Sequence, residues 1–244
     1  MVSGSGFADS TFYFSSPGST VWGGVYVNPY TANELSPQTI NGLTIYCDDW
    51  DTEFSGNPTW NAKVLALTPS NAQYFKFGTN ATTQSVTLSP TSVLQYSTKT
   101  LASLGQTPYD LYLEAVYLDQ QMQGLSTGEQ LEQEELSAAE WILFTNTGAS
   151  TLFADINGGD AGKGVSGATF ATAVNKDLQA AAAGITSQGF SAAGWDVITP
   201  VGNDSYGGPM QEFLTYVPEP SAVILLGTIA GLLGLTKLRR RRQA

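Results

Sequence analysis

The residues best suited by type to covalent chemistry sit in Ile45-Tyr46-Cys47-Asp48-Asp49-Trp50, where the only cysteine of this 244-residue chain precedes two aspartates. A cysteine can act as a nucleophile when a neighbour lowers its pKa, but its commonest role when unpaired is that of a small buried hydrophobe on a strand. In an oxidising compartment Cys47 could also link two chains. Asp48, Asp49, Asp51 and Glu53 supply oxygens suited to a hard cation such as calcium. On a strand, however, Asp49, Asp51 and Glu53 share one face and Asp48 the other, so a solvated strand end is expected. Glu129, Glu132, Glu134, Glu135 and Glu140 form a second acidic set on helical text. Paired carboxylates can hydrolyse glycosides, yet an acidic helix face is ordinarily just hydrated. Asp155-Ile156-Asn157-Gly158-Gly159-Asp160 opens like a calcium loop and then loses register. Gly159 stands where a third ligand belongs, Asp160 where the turn glycine belongs, and Ser166 where the bidentate acid belongs.

Composition removes whole classes. The chain has no histidine, hence neither the usual general base nor the commonest transition-metal ligand, and one cysteine allows no intramolecular disulfide or multi-cysteine zinc site. No cofactor or metal is called for, and a non-enzymatic role is expected. Residues 1–217 carry five lysines against twenty of the twenty-one acidic residues, a net −15, whereas residues 218–244 carry +4. Without clustered Lys and Arg such a body does not suit nucleic acid.

The basic end has its own order. Val217-Pro218-Glu219-Pro220-Ser221 places two structure-breaking prolines before an uncharged run from Ala222 to Thr236, which includes Leu226, Leu232 and Leu235. Lys237, Arg239, Arg240, Arg241 and Arg242 follow, a cluster that stays cytoplasmic when an apolar segment enters a membrane. The run holds about 15 residues, short of the roughly 20 that a relaxed membrane helix uses. A single thin membrane anchor is therefore expected, with the body outside the cytoplasm. Met1–Gly6 shows neither a basic n-region nor an apolar h-region, so the targeting segment is expected to lie upstream or to have been removed already.

In its Pro-Glu-Pro triplet, short apolar helix and terminal arginine cluster, this tail resembles the PEP-CTERM sorting signal of exported bacterial proteins, a tail sometimes labelled an ice-binding protein C-terminal domain. The resemblance covers residues 218–244. It implies recognition by a membrane-embedded exosortase, cleavage near the triplet and delivery of the body to the cell surface or extracellular matrix. A second resemblance joins Cys47 to Ala138-Ala139-Glu140-Trp141-Ile142-Leu143-Phe144. It is to bacterial surface thioester domains, in which a strand cysteine bonds to a glutamine four residues before a helix tryptophan. Here Ser137 occupies that place, with Gln133 and Gln130 one and two turns back, so the body resembles a relative lacking the reactive glutamine.

The elements that must position these residues divide at about Pro108. Before it, Val21–Val27, Leu43–Cys47, Trp60–Leu67 and Gln84–Leu88 read as strands, with Asn41-Gly42 as a turn. After it, Leu111, Ala115, Leu118 and Met122 fall at helical spacing, with Glu114 and Asp119 facing water. A second helix runs from a Ser126 or Thr127 cap to Thr145, a glycine-rich loop spans Asp155–Gly167, and a third helix covers Thr169–Ala183. Trp195–Thr199 and Gln211–Val217 return to strand. The expected fold is α+β: an N-terminal antiparallel β region with an inserted helical segment, then a single C-terminal transmembrane helix. Residues 1–217 form the extracellular domain and 218–244 the sorting signal. The expected role is structural or interactive at the bacterial surface, with the membrane, an exosortase-type enzyme and extracellular polysaccharide as partners. The alternatives are a covalent adhesin using Cys47 and a secreted carbohydrate-active hydrolase. Trp22, Trp50, Trp60, Tyr26 and Tyr30 would stack on sugar wherever they are exposed.

Overall fold

The computed structural model describes residues 9–18, 20–52, 56–126, 128–145, 148–187 and 189–217. The chain begins with β1 (Ser10–Ser16), a small hairpin of β2 (Val21–Trp22) and β3 (Val25–Tyr26), then β4 (Tyr30–Ser36), β5 (Ile40–Cys47) and β6 (Thr59–Ala66). A second hairpin, β7 (Thr82–Leu88) and β8 (Leu94–Thr100), leads into α1 (Leu101–Leu104), α2 (Pro108–Gln123), α3 (Gln130–Phe144) and α4 (Ala149–Gly158). The two-residue strands β9 (Gly159–Asp160) and β10 (Val165–Ser166) precede α5 (Gly167–Gly184), and β11 (Trp195–Pro200) and β12 (Phe213–Tyr216) end the fold.

Six strands close into an antiparallel barrel in the order β1-β4-β5-β12-β11-β6, with β6 returning to β1 through Phe12 opposite Trp60. Strand alternation builds its two faces. Phe12, Phe14, Ile45, Cys47, Trp60 and Phe213 point inward and fill the lumen, while Tyr46, Leu65, Trp195, Val197 and Leu214 join the core shared with the helices. Everything from Leu67 to Gly194 is an excursion between neighbouring strands, since Val197 of β11 pairs with Leu65 of β6. α2, α3 and α5 pack on one another, and α2 and α3 reach the barrel side through Tyr112 to Glu212 and Trp141 to the Cys47 carbonyl. Thr107 starts α2 with a reciprocal capping box to Asp110, and Pro108 fits the first turn, where no N–H is needed.

The expected fold class is corrected by this arrangement. The body is an α+β fold built on a closed barrel whose last two strands come from its C-terminal end. Among the described residues no helix is long and apolar enough to cross a membrane. Even the 18-residue α5 carries Asn175, Lys176, Asp177 and Gln179 within its span. The transmembrane helix was expected on residues that lie outside the described ones, as do Pro218–Ser221 and the basic cluster. Val217 is the last described residue, its N–H donating to the Gly194 carbonyl at 2.7 Å.

Local differences have local causes. Val21–Val27 is two strands because Gly23 and Gly24 both take positive φ (60° and 84°) and reverse the chain between them. Asn41-Gly42 makes no turn but lies inside β5, where Gly42, at φ 71°, donates to Asn33 Oδ1 across a register shift in β4. The glycine-rich stretch from Asp155 is helical as far as Gly158, so α4 replaces the first part of the expected loop.

Candidate functional site

The end of β5 delivers its residues alternately to lumen and helices. Cys47 enters the lumen, and its main chain is held from three directions. Asn28 Oδ1 accepts from Cys47 N at 2.6 Å, Asn28 Nδ2 donates to Cys47 O at 3.0 Å, and Trp141 Nε1 donates to the same carbonyl at 2.8 Å. Cys47 and Trp141 are thus brought together, but through a backbone oxygen. The thiol lies fully buried between the main-chain N–H and carbonyl of Asp49, at 3.4 and 3.5 Å. Burial first, then the charges of Asp49 and Asp48, push its pKa well up, which keeps it a thiol. Ser137 turns to Met122 Sδ and the Gln133 carbonyl. The Gln133 side chain is engaged at both ends, donating to the Asn28 carbonyl and accepting from Thr20 Oγ1.

The acids behave differently from their expected solvated state. Asp48, Asp119, Glu134, Glu140 and Glu212 are completely buried, and Asp49 and Glu114 nearly so. Glu212, which precedes β12, accepts from Lys76 N at 2.7 Å and from the Tyr112 and Thr199 hydroxyls. Asp48 faces Glu212 and meets no other donor among the described residues. Two ionised carboxylates cannot sit side by side in a low-dielectric interior, so the pair holds a proton, and Asp48 carries it because Glu212 has three donors of its own. Burial, Glu212 and Asp49 accordingly drive the Asp48 pKa well up. Asp119 of α2 and Glu140 of α3 make a second such pair. Burial holds both well above the ordinary carboxylate range, and Asn28 Nδ2 donates to Glu140 Oε2 at 2.7 Å. The second pair lies near Tyr46, whose hydroxyl is also pushed up by burial and by Asp119.

Asp49 has a different partner. Lys76 Nζ reaches its Oδ2 and also donates to Thr52 Oγ1 at 2.9 Å, while Gln211 Nε2 donates to the Asp49 carbonyl at 2.9 Å. Asp49 forms the floor of an opening at the barrel mouth. The outer part is a cleft of about 480 Å³ lined by Phe14, Val25, Tyr26, Tyr30, Asn57 and Gln211. A recess of about 40 Å³ continues to Asp49, Trp50 and Trp141. Tyr26 is 48% exposed, and its carbonyl accepts from Tyr30 Oη at 2.6 Å, fixing the two against each other. Trp22 and Trp60 are core, stacked on Phe170 and Phe12, so Tyr26, Tyr30 and Trp50 are what the expected aromatic set contributes here.

Other sequence-level candidates resolve into structure. Asn157 bridges both main-chain groups of Leu94, which ties α4 to β8. Glu134 pairs with Lys163, and Asp51 accepts from Thr145 Oγ1 and Gly148 N. Among the described residues no three His, Cys, Asp or Glu side chains are placed to hold a metal. Asn28, Lys76, Tyr112, Gln211 and Glu212 were not singled out from sequence, and Asp119, expected to face water, is fully buried. The available signal was weak: Asp119 follows Tyr112 and Ala115 on the apolar helical spacing, and Glu212 lies between Met210 and Phe213 in strand text. No protein-family model matches the chain, nor does any curated protein or solved structure.

Proposed function

We propose that this chain is an exported bacterial surface or matrix protein whose body binds a polysaccharide segment in the barrel-mouth cleft and does not transform it. The supporting observation is the cleft itself, where the exposed ring of Tyr26 stands beside the carboxamides of Asn57 and Gln211, buried Tyr30 and Phe14 form the base, and Trp50 lines the recess. Flat apolar faces beside amide donors and acceptors suit a sugar ring, which has one apolar side and a hydroxylated rim. The carboxyl on its floor, Asp49, is committed to Lys76, and the nearby thiol is buried and protonated, so the groove offers contact surface in place of a nucleophile and base. Sorting is assigned to residues 218–244 on their resemblance to the PEP-CTERM signal. That assignment puts the body outside the cytoplasm after handling by an exosortase-type enzyme.

Two measurements test this reading. Titrating the full chain with the producing cell's exopolysaccharide, followed by tryptophan fluorescence, should give saturable binding that Tyr26→Ala weakens about tenfold, the scale of one lost aromatic contact. Binding untouched by Tyr26→Ala and Gln211→Ala would remove the cleft from consideration. Fractionation of cells making the full chain or a chain ending at Val217 should find the body at the envelope or outside only for the former.

A further inference from the structure

We propose that Lys76 and Asp49 condense into an intramolecular amide, a covalent cross-link between the end of β5 and the segment after the 3-10 turn at Ala72–Tyr74. This inference is independent of what the cleft binds. The two reacting groups are already in contact, Nζ against Oδ2. The Asp49 side chain is 0% exposed, and its other oxygen, Oδ1, meets no donor among the described residues. A charged oxygen in that position is costly, whereas an amide carbonyl there carries no net charge. The lysine is held at its other end too, because its own backbone N–H donates to Glu212 at 2.7 Å. Approach distance and direction are therefore set by the fold, which is the larger part of what an intramolecular condensation requires.

The proton traffic has a local reservoir. Asp48, adjacent in sequence to Asp49, shares a proton with Glu212 and is sealed from solvent. In the reaction the ammonium of Lys76 gives up a proton to this acid pair, and the neutral Nζ attacks Asp49 Cγ. The pair returns a proton to Oδ2, the Cγ–Oδ2 bond breaks, and Oδ2 departs as water with the second proton lost from nitrogen. The balance is a carboxylate plus an ammonium giving an amide plus one water, with no oxidation and no co-reactant. Lys76 is 34% exposed, so the water has a way out. The other lysine–carboxylate contact supplies an internal comparison. Lys163 is shared between buried Glu134 and partly exposed Asp160, which lies 3.8 Å away and already accepts from the Gly162 and Lys163 main-chain N–H groups, so no sealed acid stands ready to carry the proton and an ion pair is expected to persist.

Peptide mapping of the purified, natively folded full chain tests this. Trypsin should fail to cut after Lys76 and should yield the Asp49 peptide joined to the Lys76-containing one, lighter by one water than the two together. Lys76→Arg and Asp49→Ala should abolish the joined species, and Lys163→Arg should leave it. Glu212→Gln, with its fold checked by circular dichroism, should slow its formation at least tenfold. Free cleavage after Lys76 with no loss of water in the wild-type chain would overturn the proposal, and that reading needs no variant to fold. A link found at Lys163 instead would overturn it equally.

Discussion

The lumen of the barrel and the seam between barrel and helices are both sealed from water, but they are filled by opposite means. The lumen is packed with rings, such as Phe12 on Trp60 at 5.4 Å and Trp60 against Phe213 at 5.7 Å, with Cys47 as a small filler among them. The seam holds Asp48, Asp119, Glu140 and Glu212 with hardly a cation among them, and it is tolerable only because the carboxyls satisfy one another through shared protons. Equal burial therefore produces one region whose stability is indifferent to pH and another whose stability depends on it.

The largest effect should come from emptying the lumen. Trp60→Ala removes a ring held between stacked Phe12 and tilted Phe213 and should cost about 3–5 kcal/mol in chemical denaturation, to the same extent in acid and at neutral pH. A strongly pH-dependent loss would erase the distinction between the regions. Next comes the acid response of the helical side. Glu114, Asp48, Glu212, Asp119 and Glu140 have folded pKa values raised above the unfolded ones, so their contribution is complete below the ordinary carboxylate range and is lost as pH rises through the folded pKa. Glu114, nearly buried beside Gln106 and pushed up to about 7, should account for a decline of at most about 3 kcal/mol between the ordinary carboxylate range and about pH 7. The Asp48–Glu212 and Asp119–Glu140 pairs extend the decline to higher pH. Denaturation midpoints across that range should fall with rising pH in the wild type. Glu114→Gln should flatten the first part and Glu140→Gln the later part, and a wild-type midpoint that climbs instead would contradict the paired-acid description. The smallest effect is Thr107→Ala, which unties the cap of the helix carrying Tyr112 and Asp119 and should cost about 1 kcal/mol by thermal melting.

How much of this could be read from the chain depended on whether the signal was local. α2 and α5 begin and end within two residues of the sequence expectation, because proline, glycine and apolar spacing mark helices without help from distant residues. Trp195–Pro200 and Thr59–Ala66 were legible for the same reason. Barrel closure was not, since the pairing of Phe213 with Cys47 joins residues far apart in sequence and leaves no trace in either strand's periodicity. The acids were misjudged on similar grounds. Asp119 and Glu140 look like ordinary hydrated helix residues until their two helices face each other, and Asp48 looks like a strand end until Glu212 returns from the far end of the body to meet it. Of the site, Cys47, Trp141, Tyr26 and Trp50 were visible in the sequence. Asn28, the residue that fastens β5 to α3, was not, because an asparagine before a proline reads simply as the end of a strand.

The way the chain leaves the body carries one more consequence. β12 spends its last rung at Tyr216, and Val217 is tied off to Gly194. Severing the peptide beyond that knot would leave every rung among the described residues in place, Val217 still tied to Gly194.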